Sequence, residues 1–149
     1  MGRYAANHQT AAGSDLGLIL LTGSAAIRPG IYDAIIGSDA TPADQASEFV
    51  INRTTAAGGG GTALAEVATD PLTVAATGAC TGGTFTAQPT DTASTELLML
   101  GLNQRATFRW VASPGGEFYA IATAANGLFL RSVGSSATPN CNCHLAWFE

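Results

Sequence analysis

Between Ala106 and Ala112 the chain alternates. Ala106, Phe108, Trp110 and Ala112 fall on one face, and Thr107, Arg109 and Val111 on the other, the period of a half-buried β-strand. Ser113-Pro-Gly-Gly116 follows, with one φ fixed by Pro114 and two glycines tolerant of positive φ, the chemistry of a tight reversal. Glu117 to Ala122 is therefore expected as the return strand of a hairpin. Asn126-Gly127, the strongest short-range turn dipeptide, separates it from a strand over Leu128 to Val133. The stretch reads as a β-meander, with Trp110 on its buried face.

The same pattern extends toward the amino end. Pro29-Gly30 makes a kink before a strand from Ile31 to Ile36, which Gly37 ends, and the side-chain oxygens and proline of Ser38 to Gln45 predict an ordered loop. Glu48 to Thr54 alternates, with Phe49 and Ile51 opposed to Val50 and Asn52. Gly58 to Gly61 reads as a flexible link. Shorter strands are expected at Ala63 to Val67, Leu72 to Thr77, Thr84 to Ala87 and Glu96 to Leu102, and a last one at Cys143 to Phe148. No helix of ordinary length is visible. Eight or more strands at short intervals predict an all-β, single-domain antiparallel β-sandwich, jelly-roll-like, over residues 16–149. Met1 to Asp15 has few large apolar groups and no helical period. It is expected to be an extended N-terminal arm reaching ~50 Å over a neighbour, or else a frayed terminus. Leu16 to Leu21 is too short to cross a membrane and, with Asp15 against it, a poor export signal; no membrane association is expected.

Composition changes this picture in one respect. The 149 residues suit one domain, yet only 11% are charged, well below the roughly 25% of ordinary soluble domains. So neutral a surface has little to prevent association, and the chain reads as a subunit. It has no lysine; Arg3, Arg28, Arg53, Arg105, Arg109 and Arg131 are scattered, and the net charge is -5. Nucleic-acid binding requires clustered positive charge, so none is expected. The arginines suit ion pairing with carboxylates instead.

Catalytic motifs fail one by one. Gly58-x-Gly60-x-x-Ala63 fits a dinucleotide fingerprint formally, but no helix follows before Asp70-Pro71, and a Walker loop needs the absent lysine. Neither His8 nor His144 has a recognisable nucleophile motif to serve. Asp33, Asp39, Asp44 and Glu48 match no calcium-loop spacing, and loop capping is their expected role. Cys141, Cys143, His144 and distant Cys80 are the only metal set. In a strand, however, the two neighbouring thiols share a face from which His144 points away, so no metal and no cofactor are expected. Free buried thiols are the default, a disulfide from Cys80 to Cys141 or Cys143 the alternative.

Arg28 to Gln45, Leu102 to Glu117, Ala122-Thr-Ala-Ala-Asn-Gly127 and the aromatic-acidic end Trp147-Phe-Glu149 together resemble a family of small virion-associated structural proteins of tailed bacteriophages. The resemblance covers most of the chain from Ile27 onward; the cysteine-bearing Asn140-Cys-Asn-Cys-His144 departs from it. It implies a capsid decoration, or cement, protein with a jelly-roll-like fold, commonly a homotrimer. Such a protein is non-enzymatic, made in the host cytoplasm and carried on the capsid surface, with the major capsid protein as its partner. The expected capsid or subunit contacts are Arg3, Tyr4 and His8 of the arm and Ser38, Asp39, Thr41, Asp44 and Gln45 of the loop. The alternative is a trimeric tail or fibre module that binds a host-surface glycan through Tyr32, Trp110 or Tyr119.

Overall fold

The structure, a computed structural model, describes residues 1–10, 17–83, 85–133 and 140–149. Positions 11–15 of the expected arm, Leu16, and Thr84 of the expected strand Thr84 to Ala87 lie outside them. The described residues form strands and no helix: β1 (Arg3–Thr10), β2 (Gly17–Thr22), β3 (Gly30–Ala40), β4 (Ala46–Ala56), β5 (Thr62–Ala63), β6 (Val67–Ala68), β7 (Ala79–Gly82), β8 (Thr90–Asn103), β9 (Phe108–Val111), β10 (Phe118–Tyr119), β11 (Gly127–Val133) and β12 (Asn140–Phe148). Two antiparallel sheets pack as a sandwich. One runs β10-β3-β12-β1-β6, with β9 also on β3; the other runs β5-β7-β2-β11-β4-β8.

The pairings are nested. β1 pairs with β12, β2 with β11, β3 with β9 and β10, and β4 with β8, so the first part of the chain runs antiparallel to the last part along its whole length. Inward residues of both sheets meet in one core: Tyr4, Ala6, Ile31, Ala34, Ile36, Leu145 and Trp147 from the first, and Ile19, Leu21, Phe49, Ile51, Leu128 and Leu130 from the second.

The arm expectation fails for residues 3–10. They form a strand inside the first sheet, paired residue for residue with β12 from Arg3↔Phe148 to Thr10↔Cys141. The alternation Tyr4, Ala6, His8, Thr10 is short and built partly from small or polar side chains, but it places Tyr4, Ala6 and Thr10 in the interior. A period of two, not the mass of apolar groups, carried the signal.

The meander is also overturned. β9 and β10 do not pair with each other; both lie along the same edge of β3, with Ile36↔Phe108 to Asp33↔Val111 and then Ile31↔Phe118 and Gly30↔Tyr119. The chain keeps its direction, and residues 112–117 leave the edge and rejoin it. Ser113-Pro-Gly-Gly116 does turn, with Gly116 N–H on the Ser113 carbonyl at 2.8 Å and Gly115 at φ +81°, but inside an excursion. Trp110 and Phe118 close its base, their rings stacked with centroids 4.2 Å apart. Trp110 is accordingly half-buried, not buried. Asn126-Gly127 joins β10 in one sheet to β11 in the other; a Cβ on Gly127 would stand 2.4 Å from the Leu21 carbonyl oxygen, so glycine serves close approach there.

Between β4 and β8 the chain adds β5 and β7 to the second sheet and β6 to the first, while Ala57 to Gly61 and Phe85 to Ala87, joined by a bridge between Gly59 and Ala87, lie against the outer face of the second sheet. Gly58 to Gly61 is no flexible link: Gly59 bridges Ala87, and Gly58 and Gly60 take φ of +72° and +77°. Leu72 to Thr77 is loop, not strand, held by the Glu149 carboxylate, which accepts from Thr77 N–H at 2.7 Å and Gly78 N–H at 2.8 Å. The covering is fixed by Phe85, whose ring meets Phe129 edge-on at 5.7 Å and packs in a cluster with Leu20. Phe85→Ala is expected to lower unfolding stability by about 3 kcal/mol and to speed proteolytic nicking within residues 57–89; a denaturant midpoint and cleavage pattern unchanged from the parent would show that the ring is no anchor.

Candidate functional site

The strand register gathers the polar side chains of three strands on the outer face of the first sheet. Asn7 stands opposite His144, which stands opposite Ile35; one step along, Gln9 stands opposite Asn142, and Asn142 opposite Gly37. Asn7 Oδ1 and His144 Nδ1 are 2.9 Å apart, and Gln9 Nε2 donates to Asp39 Oδ2. These residues, with His8 and Cys143, line an open groove of about 300 Å³. Its surface is mostly neutral amide and imidazole.

Beyond the groove lies the loop from Thr41 to Gln45, and one side chain organises it. Gln104 is 6% exposed and bonds in four directions. Its Oε1 accepts from Ala43 N–H at 3.0 Å, its Nε2 donates to Ser47 Oγ at 3.3 Å, its backbone N–H donates to the Gln45 carbonyl at 2.9 Å, and its carbonyl accepts from Ser38 Oγ–H. Asn103 Nδ2 adds a bond to Asp44 Oδ1 at 2.6 Å. A primary amide carries both a donor and an acceptor, so one side chain serves the Ala43 N–H and the Ser47 hydroxyl oxygen together. The ordered loop expected over Ser38 to Gln45 is present but shorter, because Gly37 does not end β3, which runs on to Ala40; the loop is residues 41–45, tied to the end of β8.

The expected contact residues divide accordingly. Ser38, Asp39, Thr41, Asp44 and Gln45 lie at the loop end of the sandwich, all exposed except half-buried Ser38. His8 lies at the same end of β1 but on the opposite face from Gln9, its ring against Gly82 and Gly83. Arg3 is at the other end of β1, its guanidinium 5.7 Å from the centre of the Tyr32 ring. Tyr4 is not a surface contact: it is 3% exposed, stacks on Trp147 at 5.9 Å and donates its hydroxyl to the Val74 carbonyl at 2.9 Å. A phenol whose ring and hydroxyl are both satisfied inside belongs to the core. Asn7, Gln9, Asn142 and His144 were missed, although the alternations Asn7, Gln9 and Asn142, His144 put a polar group at every second position.

Nucleophilic chemistry has little to work with here. Cys80, Cys141 and Cys143 form no disulfide and are buried. Burial raises all three thiol pKa values, that of Cys141 to about 11, and the nearby Glu66 adds to the rise at Cys80. A thiol held protonated is a poor nucleophile and metal ligand. Among the described residues no three His, Cys, Asp or Glu side chains are grouped to hold a metal ion, and no helix is long and apolar enough to cross a membrane. Comparison with protein-family models, curated proteins and solved structures found no match for the chain.

Two outcomes test this description. Gln104→Ala strands the half-buried Ala43 N–H and the buried Ser47 hydroxyl, and is expected to cost about 2 kcal/mol while proteolysis at residues 38–45 accelerates; equal stability and protection would refute the role of the side-chain amide. Burial lowers the His8 pKa, and Nε2 has no hydrogen-bond partner among the described residues. The unfolded chain then takes up a proton at higher pH than the folded one. Stability from this group is present at neutral pH and falls as pH drops below about 6.5. His8→Gln should flatten the melting temperature between about pH 7 and 5, and a profile parallel to the parent's would rule His8 out.

Proposed function

We propose that the chain is a non-enzymatic bacteriophage decoration protein that binds the assembled major capsid protein and stabilises its lattice. The observation that carries this is a two-sheet body with few charges and large apolar side chains left open: Met1, Val67, Leu72, Val74, Met99, Val111 and Ile121 are all exposed. Such groups on a sparsely charged chain are characteristic of a subunit whose surface is completed by neighbours. The nested pairing supports a jelly roll, since an antiparallel hairpin wound around a barrel axis yields these four strand pairs. The sequence resemblance over Arg28 to Gln45 and Leu102 to Glu117 supports the virion setting.

Deletion of residues 1–15 no longer serves as a test of capsid contact, because it removes β1 from the interior of a sheet. The loop end, with Asp39, Thr41, Asp44 and Gln45, is the contact we assign to the capsid. A glycan-binding tail module is the second reading, favoured by one observation. Tyr32 and Tyr119 both pack on Phe148, with centroids 6.2 and 5.7 Å away, beside the polar outer face of the same sheet, and Arg28 lies 5.5 Å from the Tyr119 ring centre. Aromatic faces beside amides are a common way to hold sugars. Immunogold labelling of intact particles distinguishes the two. Gold spread evenly over heads is the expected result; gold confined to tail tips supports the glycan module, and unlabelled particles overturn both.

A further inference from the structure

We propose that β8 pairs antiparallel with β8 of a second copy of this chain, Leu100 facing Leu100 across a twofold axis, so that the second sheet continues from one subunit into the next. Sheet edges are templates for further strands and are normally kept short, charged or bulged. Three of the four edges here follow that rule among the described residues. β5 and β6 have two residues each, and the β9–β10 edge is broken by the 112–117 excursion. β8 does not: it has 14 residues and pairs only with β4.

Within β8 the pairing-competent part is its second half. Register shifts against β4 and a positive φ of +58° at Ser94 disturb the first half, whereas Leu98 to Asn103 runs in unbroken register from Ile51↔Leu98 to Ala46↔Asn103. That segment, Leu98-Met-Leu-Gly-Leu102, has no charge and no proline. Leu98, Leu100 and Leu102 sit opposite the inward residues Ile51, Phe49 and Ser47, half-buried at the open end of the core. Met99 and Gly101 point outward. Met99 is 60% exposed, and a Cβ on Gly101 would meet nothing within 4 Å.

These features select a register. Two identical antiparallel strands related by a twofold axis normal to the sheet pair residue i with a residue of the same face. Centred on Leu100, Leu98 meets Leu102 of the other copy, which extends the core, and each Met99 lies over the other copy's Gly101, where space is open. Centring on Gly101 would set Met99 against Asn103 and Leu98 against Gln104; centring on Met99 would set Glu96 against Leu102. A ring built head to tail needs a second long free edge, and the short ones do not supply it. The contact is therefore twofold, in place of the threefold association implied by the resemblance, and it stands whether or not the partner is a capsid.

The test is the oligomeric state of the full chain by sedimentation and light scattering. A dimer is expected, converted by Met99→Lys to a monomer that still folds cooperatively, since that side chain is outside the core, and whose melting temperature no longer depends on protein concentration. Independently, Met99→Cys and Gly101→Cys proteins mixed and mildly oxidised should give cross-linked dimer far above the level of either alone; the native thiols are buried. A monomer, a trimer, a dimer untouched by Met99→Lys, or no excess cross-linking in the mixture would overturn the proposal.

Discussion

The structure depends on burying one strand on both of its faces. Leu18, Ile19, Leu20 and Leu21 of β2 are each wholly inaccessible, which a strand of a two-layer sandwich achieves only if something covers its outer side. The inner side is supplied by the opposing sheet. The outer side is supplied by Phe85, packed on Leu20 and Phe129 with Ala57 beside it. Gly17 and Gly61 make this fit possible, for a Cβ on either would stand 2.6 Å from the Phe85 ring. Burial of four such side chains is worth on the order of 8 kcal/mol, comparable to the net stability of a whole domain, so the long excursion between β4 and β8 is integral to the fold.

That cover explains what could be read from sequence and what could not. Alternation over Ile31 to Ile36 and Glu48 to Thr54 was legible because those strands carry large side chains. Residues 3–10 carry the same period in Tyr4, Ala6 and Thr10, whose volume is small, and bulk was mistaken for pattern. Turn chemistry was read correctly at Ser113 to Gly116 as chemistry and wrongly as topology: a local turn does not reveal whether the strands on either side pair with each other or with a third. The candidate groove was the least legible part, since Asn7 and His144 are 137 residues apart and only the β1–β12 register brings them together.

Charge is used sparingly, and much of it ties the chain to itself. Of the eleven acidic residues, Asp33 and Asp91 pair with Arg109 and Arg131, and Asp39 and Asp44 accept from side-chain amides. Glu66, Asp70 and Glu149 accept from backbone N–H groups of Cys80, Leu72, Thr77 and Gly78. Carboxylates thus close loops that glycine-rich sequence leaves without secondary structure. With so few charged groups in the chain, the exposed apolar side chains have only a sparse charged screen.

The nesting of the strand pairs also orders their cost in chain entropy. Of the four nested pairs, β4–β8 closes the shortest loop, and each pair outward from it encloses a longer one, until β1–β12 encloses nearly the whole chain. Loop closure grows dearer with length, if slowly, and non-local pairing is reached late. The hairpin that is cheapest to form is thus the one that carries the open edge of β8. A growing or refolding chain presents that edge before its two ends have met, and subunit pairing competes in time with completion of the subunit itself.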